Sequence, residues 1–145
     1  MVLRGDIYNP ARASQLVSFS GILYGKITPT DIDGLIDFGG NSFAILEFKF
    51  GDTPLPFGQR LAIENLVYRL QNGGASAIAI VCEHEIPAHQ AIIASDTIVR
   101  SYLYRGKWQI PRATYTCKGL LDAFIHRATE FDAISTDIRK LMLFT

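Results

Sequence analysis

Thr30-Asp31-Ile32-Asp33-Gly34-Leu35-Ile36-Asp37-Phe38-Gly39-Gly40-Asn41-Ser42-Phe43-Ala44-Ile45-Leu46-Glu47-Phe48-Lys49 reads as two strands joined by a tight turn, with acids and a lysine where a core would be apolar. Side chains of a strand alternate between faces with period two. Asp31, Asp33, Leu35 and Asp37 therefore share one face of the first strand, and Phe43, Ile45, Glu47 and Lys49 share one face of the second. The complementary faces, Ile32-Gly34-Ile36-Phe38 and Ala44-Leu46-Phe48-Phe50, carry no charge. Gly39-Gly40-Asn41 supplies residues that tolerate the positive φ of a tight hairpin turn. A three- or five-residue loop centred on Gly40 pairs positions whose numbers sum to eighty, setting Asp33 opposite Glu47 and Asp31 opposite Lys49. A two-residue Gly39-Gly40 turn would instead put Asp33 and Glu47 on opposite faces.

Directly opposed residues have Cβ atoms about 4.5–5.5 Å apart, where like charges repel. A divalent cation shared by both carboxylates offsets that repulsion. Oxygen-only ligands favour a hard ion, Mg²⁺ with Mn²⁺ able to substitute, over zinc. The competing reading is a solvent-facing hairpin in which Asp31 is salt-bridged to Lys49. Phe48 and Phe50, beside the continuous run from Phe43 to Leu46, favour a strand covered on both faces.

These residues resemble the PD-(D/E)XK nuclease superfamily, whose signature is an acid on one strand followed by Glu-x-Lys on the next. Glu47-Phe48-Lys49 matches Glu-x-Lys and Asp33 matches the aspartate, inside residues 10–83 and in the order helix, hairpin strands, helix, strand. Where the family has Pro-Asp, this chain has Pro29-Thr30-Asp31-Ile32-Asp33, which leaves two aspartates. Asp33 is preferred, because Asp-Gly-Leu-Ile resembles the restriction-type members and because it pairs with Glu47. Asp31 is then an accessory metal ligand or the partner of Lys49. The resemblance implies an α/β fold with a restriction-endonuclease-like three-layer α/β/α core: a mixed central sheet flanked by helices, plus an extra C-terminal β-hairpin and helix. Residues 1–145 form a single domain on this reading.

The implied activity is Mg²⁺-dependent hydrolysis of phosphodiester bonds in DNA, in the manner of small resolvase-like and virus-borne members. Asp33 and Glu47 are the implied metal ligands, with the Phe48 carbonyl as a further one. Lys49 orients the attacking water and stabilises the phosphoryl oxygens. A free lysine near pKa 10.4 is a poor base at neutral pH, so proton abstraction is not assigned to it. Gln59 resembles the glutamine that many relatives carry on the following helix near the metal. From another class, the chain reads as a catalytically silent nucleic-acid-binding or assembly module that keeps the fold. Retention of Asp33, Glu47 and Lys49 together argues against silence.

Composition bounds these readings. A chain of 145 residues suits one domain with a single core. Cys82 and Cys117 form neither a metal-type spacing nor a disulfide framework, which points to a reducing cytoplasm, that of the host if the chain is virus-borne. No apolar run approaches a membrane span and no signal-peptide pattern opens the chain, so no membrane partner is expected. Net charge is zero, yet residues 1–97 hold six Lys/Arg against ten Asp/Glu and residues 98–145 hold eight against four. The acidic half suits a metal site. The basic half suits a grip on phosphates, or is simply a solvated basic face.

Pro10 to Val17 reads as a first helix opened by Asn9-Pro10, and residues 51–58 as a turn-rich loop. Gln59 to Asn72 reads as a helix closed by Gly73-Gly74, with Gln59, Ile63, Leu66 and Leu70 on one stripe. Ala75 to Cys82 is a buried strand by its apolar run. The segment from Val99 to Arg112 reads as a hairpin turning near Gly106 that interleaves Arg100, Arg105, Lys107 and Arg112 with Tyr104 and Trp108. Such a composition suits nucleic-acid contact through phosphates and stacking. It equally suits a charged edge hairpin or a homodimer contact. Lys118 to Phe131 is a packing helix, and His84 is a solvated loop residue.

Overall fold

The hairpin takes the odd loop. In the computed structural model, which describes residues 15–128, β1 (Gly34–Asp37) pairs antiparallel with β2 (Ser42–Phe50), Gly34 lying opposite Leu46 and Asp37 opposite Phe43. The Phe38 N–H donates to the Ser42 carbonyl at 2.8 Å, which leaves Gly39-Gly40-Asn41 as the loop, both glycines at positive φ (83° and 94°). Asp37 accepts the Gly40 N–H on Oδ1 at 2.6 Å, so turn chemistry accounts for that acid.

From β2 the chain crosses through α1 (Phe57–Asn72) into β3 (Ser76–His84), which runs parallel to β2 from Ser42 opposite Ser76 to Phe50 opposite His84. β4 (Ile98–Tyr104) and β5 (Lys107–Gln109) follow antiparallel, giving a mixed five-stranded sheet in the order β1-β2-β3-β4-β5. Residues 117–128 form α2. Alternate residues of the strands supply two cores. Ala44, Leu46, Ile78, Ile80 and Cys82 pack with Leu120 and Phe124 of α2, whereas Ile45, Ala77, Ala79 and Leu103 pack with Ile63 and Val67 of α1. The chain is thus an α/β protein with a helix on each face of its sheet. Among the described residues no helix is long and apolar enough to cross a membrane.

Several sequence expectations shift. Residues 15–17 are irregular rather than helical, and the rest of the first expected helix lies outside the described residues, as do residues 129–131 of the last. α1 begins at Phe57, two residues before the expected Gln59, and packs through Ile63 and Val67, both 1% exposed, while Leu66 is 38% exposed. The direction facing the sheet falls between Ile63 and Val67, which rotates Leu66 to the flank. Face alternation also breaks ahead of β1: Ile32 joins the α1-side core instead of lying with Ile36 and Phe38 on the α2 side. β4 carries a bulge, with Val81 opposite Ser101 and Cys82 opposite Val99, so Arg100 is the extra residue.

The second hairpin turns where expected. Tyr104 lies opposite Lys107 across Arg105-Gly106, whose φ values of 51° and 77° are those of a type I′ turn. Cys82 and Cys117 are free and buried, and the hydrogen bond with Cys117, then burial, pushes the Cys82 thiol up.

Candidate active site

The register that closes the first hairpin brings Asp33, just before β1, against Glu47 of β2. The Asp33 N–H donates to Glu47 Oε1 at 3.3 Å, and the Phe48 N–H donates to Asp33 Oδ2 at 2.8 Å. Glu47 sits with Ile45 on the α1 side of the sheet, is 1% exposed, and follows the apolar run Phe43 to Leu46 of its strand. Gln59, in the first turn of α1, reaches over it. Its Nε2 donates to Glu47 Oε2 and to the Asp31 carbonyl, both at 2.9 Å, and its Oε1 accepts from Lys49 Nζ at 3.1 Å. Lys49 Nζ lies 4.0 Å from Glu47 Oε2, its side chain 18% exposed. One glutamine therefore fixes both the carboxylate and the lysine. Asp33 itself is exposed, so the cluster is walled at Glu47 and open at Asp33.

Burial, and next the negative charge of Asp33, push the Glu47 carboxyl up from 4.5 to about 7. Burial first, and the like charge of Asp33 second, thus appear as retained protonation. Below 4.5 the folded and unfolded chains both hold this proton, and above 7 neither does. Between those values only the folded chain holds it, so metal-free stability falls as pH rises through that window. The total is at most about 3 kcal/mol at 1.36 kcal/mol per unit. Glu47→Gln, neutral at every pH, should match wild type near pH 4.5 and exceed it by about 2 kcal/mol at pH 8 in EDTA. Urea denaturation series at the two pH values check this. Parallel pH dependences in the two proteins would refute it.

Asp31 does not take the position opposite Lys49. The strand pairing begins only at Gly34, and Asp31 contributes its main-chain carbonyl to Gln59 while Lys49 pairs with Gln59 and Glu47. Among the described residues no group of three or more His, Cys, Asp or Glu side chains is placed to hold a metal ion.

The cations and aromatics expected to share one surface are divided. Arg100, turned by the bulge, donates to Glu83 Oε2 (3.1 Å), the Thr53 carbonyl (2.6 Å) and the Gly51 carbonyl (2.7 Å), pinning the loop that leads into α1. Its guanidinium is engaged by these protein acceptors, with the side chain still 24% exposed. Arg100→Ala should cost about 2 kcal/mol of stability, since hydrogen bonds to a charged group contribute roughly 1.5–3 kcal/mol and this one is partly solvated. A loss under about 0.5 kcal/mol in chemical denaturation would contradict the clamp.

Trp108 packs on the α1 side, where Nε1 donates to Glu64 Oε1 at 2.7 Å and Arg60 lies 5.5 Å over its ring. The Trp108 hydrogen bond and then Arg60 hold the Glu64 carboxyl below its usual value. Arg60 and Glu64, four residues apart on α1, form the ion pair that their i,i+4 spacing allows. Arg105, Lys107 and Arg112 remain exposed. His84 ends β3, accepts the Ile86 N–H on Nδ1 at 3.0 Å and meets Phe50 edge-on.

No protein-family model, no curated protein and no solved structure matches the chain. The chemistry of the site itself therefore decides the functional reading.

Proposed function

We propose that this chain is a Mg²⁺-dependent nuclease of the PD-(D/E)XK type, with a restriction-endonuclease-like core, that hydrolyses phosphodiester bonds in DNA. The observation that supports it is the opposed pair Asp33 and Glu47, one exposed and one buried, with Lys49 beside them. The donor set fits a hard divalent ion, which typically takes one or two carboxylates and completes its shell with waters and substrate phosphate oxygens. Asp33 and Glu47 would hold it. The Phe48 carbonyl is the further donor, since a strand residue directs its N–H and C=O to the same edge and the Phe48 N–H already meets Asp33. A cation bound there would supply Lewis-acid activation of water and neutralise charge on the phosphate.

The chain's own residues do the rest. Lys49 presents a positive charge to the phosphoryl oxygens, where charge develops in the transition state. Gln59 is a positioning residue that holds Glu47 and Lys49 in register. The open side at Asp33 admits the phosphodiester backbone. Arg105, Lys107 and Arg112 are the exposed cations left to hold DNA away from the reacting phosphate.

A panel of single-stranded, duplex, flapped and four-way DNA, with and without Mg²⁺, tests the proposal. Cleavage that requires Mg²⁺ or Mn²⁺ is expected, and none on any substrate with either ion would sink it. One observation favours the second reading, a silent binding or assembly module: Asp33 Oδ2 and both Glu47 oxygens already have protein donors. The same panel read as binding without cleavage would support that reading.

The DNA grip has its own test. Each phosphate neutralised on duplex DNA contributes a salt slope near −0.9. Arg105→Ala combined with Lys107→Ala should weaken binding in Ca²⁺ and flatten the slope by up to about two. Unchanged affinity and slope, with altered sedimentation, would assign the hairpin to a homodimer contact instead.

A further inference from the structure

The sheet face opposite Asp33 and Glu47 carries a groove of about 600 Å³, bounded by β4, β5, residues 110–115 and α2. Phe124 forms part of its floor, 4% exposed and set edge-on to Tyr104 at 6.1 Å. Tyr102 and Tyr115 also line it, Tyr115 being 43% exposed, and Arg112 and Arg127 stand among the lining residues. No Asp or Glu is among the described residues that line it. Neither arginine has an ion-pair partner among the described residues. By register Lys107 and Gln109 share this face with Tyr104 and Tyr102. The Tyr102 hydroxyl donates to Gln109 Oε1 at 3.1 Å, which leaves the Gln109 amide hydrogens for another acceptor.

A concave site of this size takes a compact organic ligand. Aromatic walls select a planar π system, and two arginines with no ion-pair partner among the described residues select an anion. We propose that this groove binds a nucleotide unit. Its base stacks on Tyr115, its phosphate lies at Arg112 and Arg127, and Gln109 donates to a base carbonyl. The groove shares Arg112 with the proposed DNA grip but uses neither Asp33, Glu47, Lys49 nor Gln59, so nucleotide binding in EDTA stands or falls separately from cleavage. The unit is a free mononucleotide or an unpaired nucleotide of a single strand.

Calorimetric titration in EDTA separates these sources, using thymidine 5′-monophosphate, thymidine, inorganic phosphate and a 5′-phosphorylated thymidine hexamer. Saturable binding of the monophosphate is expected, with thymidine and phosphate each at least about tenfold weaker. Equal affinity for monophosphate and hexamer assigns the groove to a single nucleotide, and a tighter hexamer assigns it to a strand. Arg112→Ala with Arg127→Ala should weaken binding about tenfold or more, both side chains being exposed. Ala123→Trp, which fills the groove without changing charge, should abolish binding, whereas Arg60→Ala on the other face should not alter it. The proposal is overturned if neither nucleotide binds saturably, or if both groove variants bind like wild type.

Discussion

Alanine at Asp33 or Glu47 is expected to lower Mg²⁺-dependent DNA cleavage by at least about 10³-fold, because each removes half of a two-carboxylate ligand set on which charge stabilisation depends. Lys49→Ala should cost about 10²–10³-fold, the usual loss when one group aimed at developing charge is removed. Asp31→Ala should cost under about tenfold, since its contribution is a main-chain carbonyl that alanine retains. Single-turnover rates at saturating Mg²⁺ read these differences. The fold should persist in all four variants, and Asp33→Asn and Glu47→Gln provide shape-preserving versions. Removing Glu47 or Asp33 also removes one side of a repulsive pair. A larger loss for Asp31→Ala than for Asp33→Ala would transfer the ligand role to Asp31.

The placement of Asp33 against Glu47 was legible in the sequence because two local rules agree there. Glycine-rich turn chemistry selects the three-residue loop, and strand alternation then fixes which side chains face each other. Gln59 was legible as a polar residue heading an apolar stripe. The expected pairing of Asp31 with Lys49 does not form, because it extends strand alternation past the point where pairing begins. Ile32 turns into the α1-side core there, a choice made by tertiary packing. Leu66 and Val67 show the same limit on a helix. Sequence periodicity gives a stripe about a turn wide, and contact with the sheet decides its centre.

The basic hairpin illustrates a different limit. Its composition suggested one surface, yet the strand alternation of β5 sends Trp108 to the α1 side and Lys107 to the α2 side. The bulge at Arg100 has no glycine to announce it, and the acceptors of Arg100 include carbonyls at Gly51 and Thr53, far away in the chain. Arg127 and Tyr115 escaped notice because the groove they line exists only once α2 is set against β4 and β5.

The proposed metal site is tested most directly by thermal melting with Mn²⁺, comparing wild type with Asp33→Asn. An ion that binds only the folded chain stabilises it by RT ln(1 + [L]/Kd), about 2.7 kcal/mol at a hundredfold excess over Kd. For a domain of this size that is a rise of about 8 °C in Tm. Ligands must be deprotonated to bind metal, and Glu47 holds its proton up to about 7. The rise should therefore be full at pH 8 and much smaller at pH 5.5. Wild type should show it and Asp33→Asn should show little at either pH. Equal shifts in the two proteins at pH 8, or no shift in wild type, would contradict a divalent-cation site at Asp33 and Glu47.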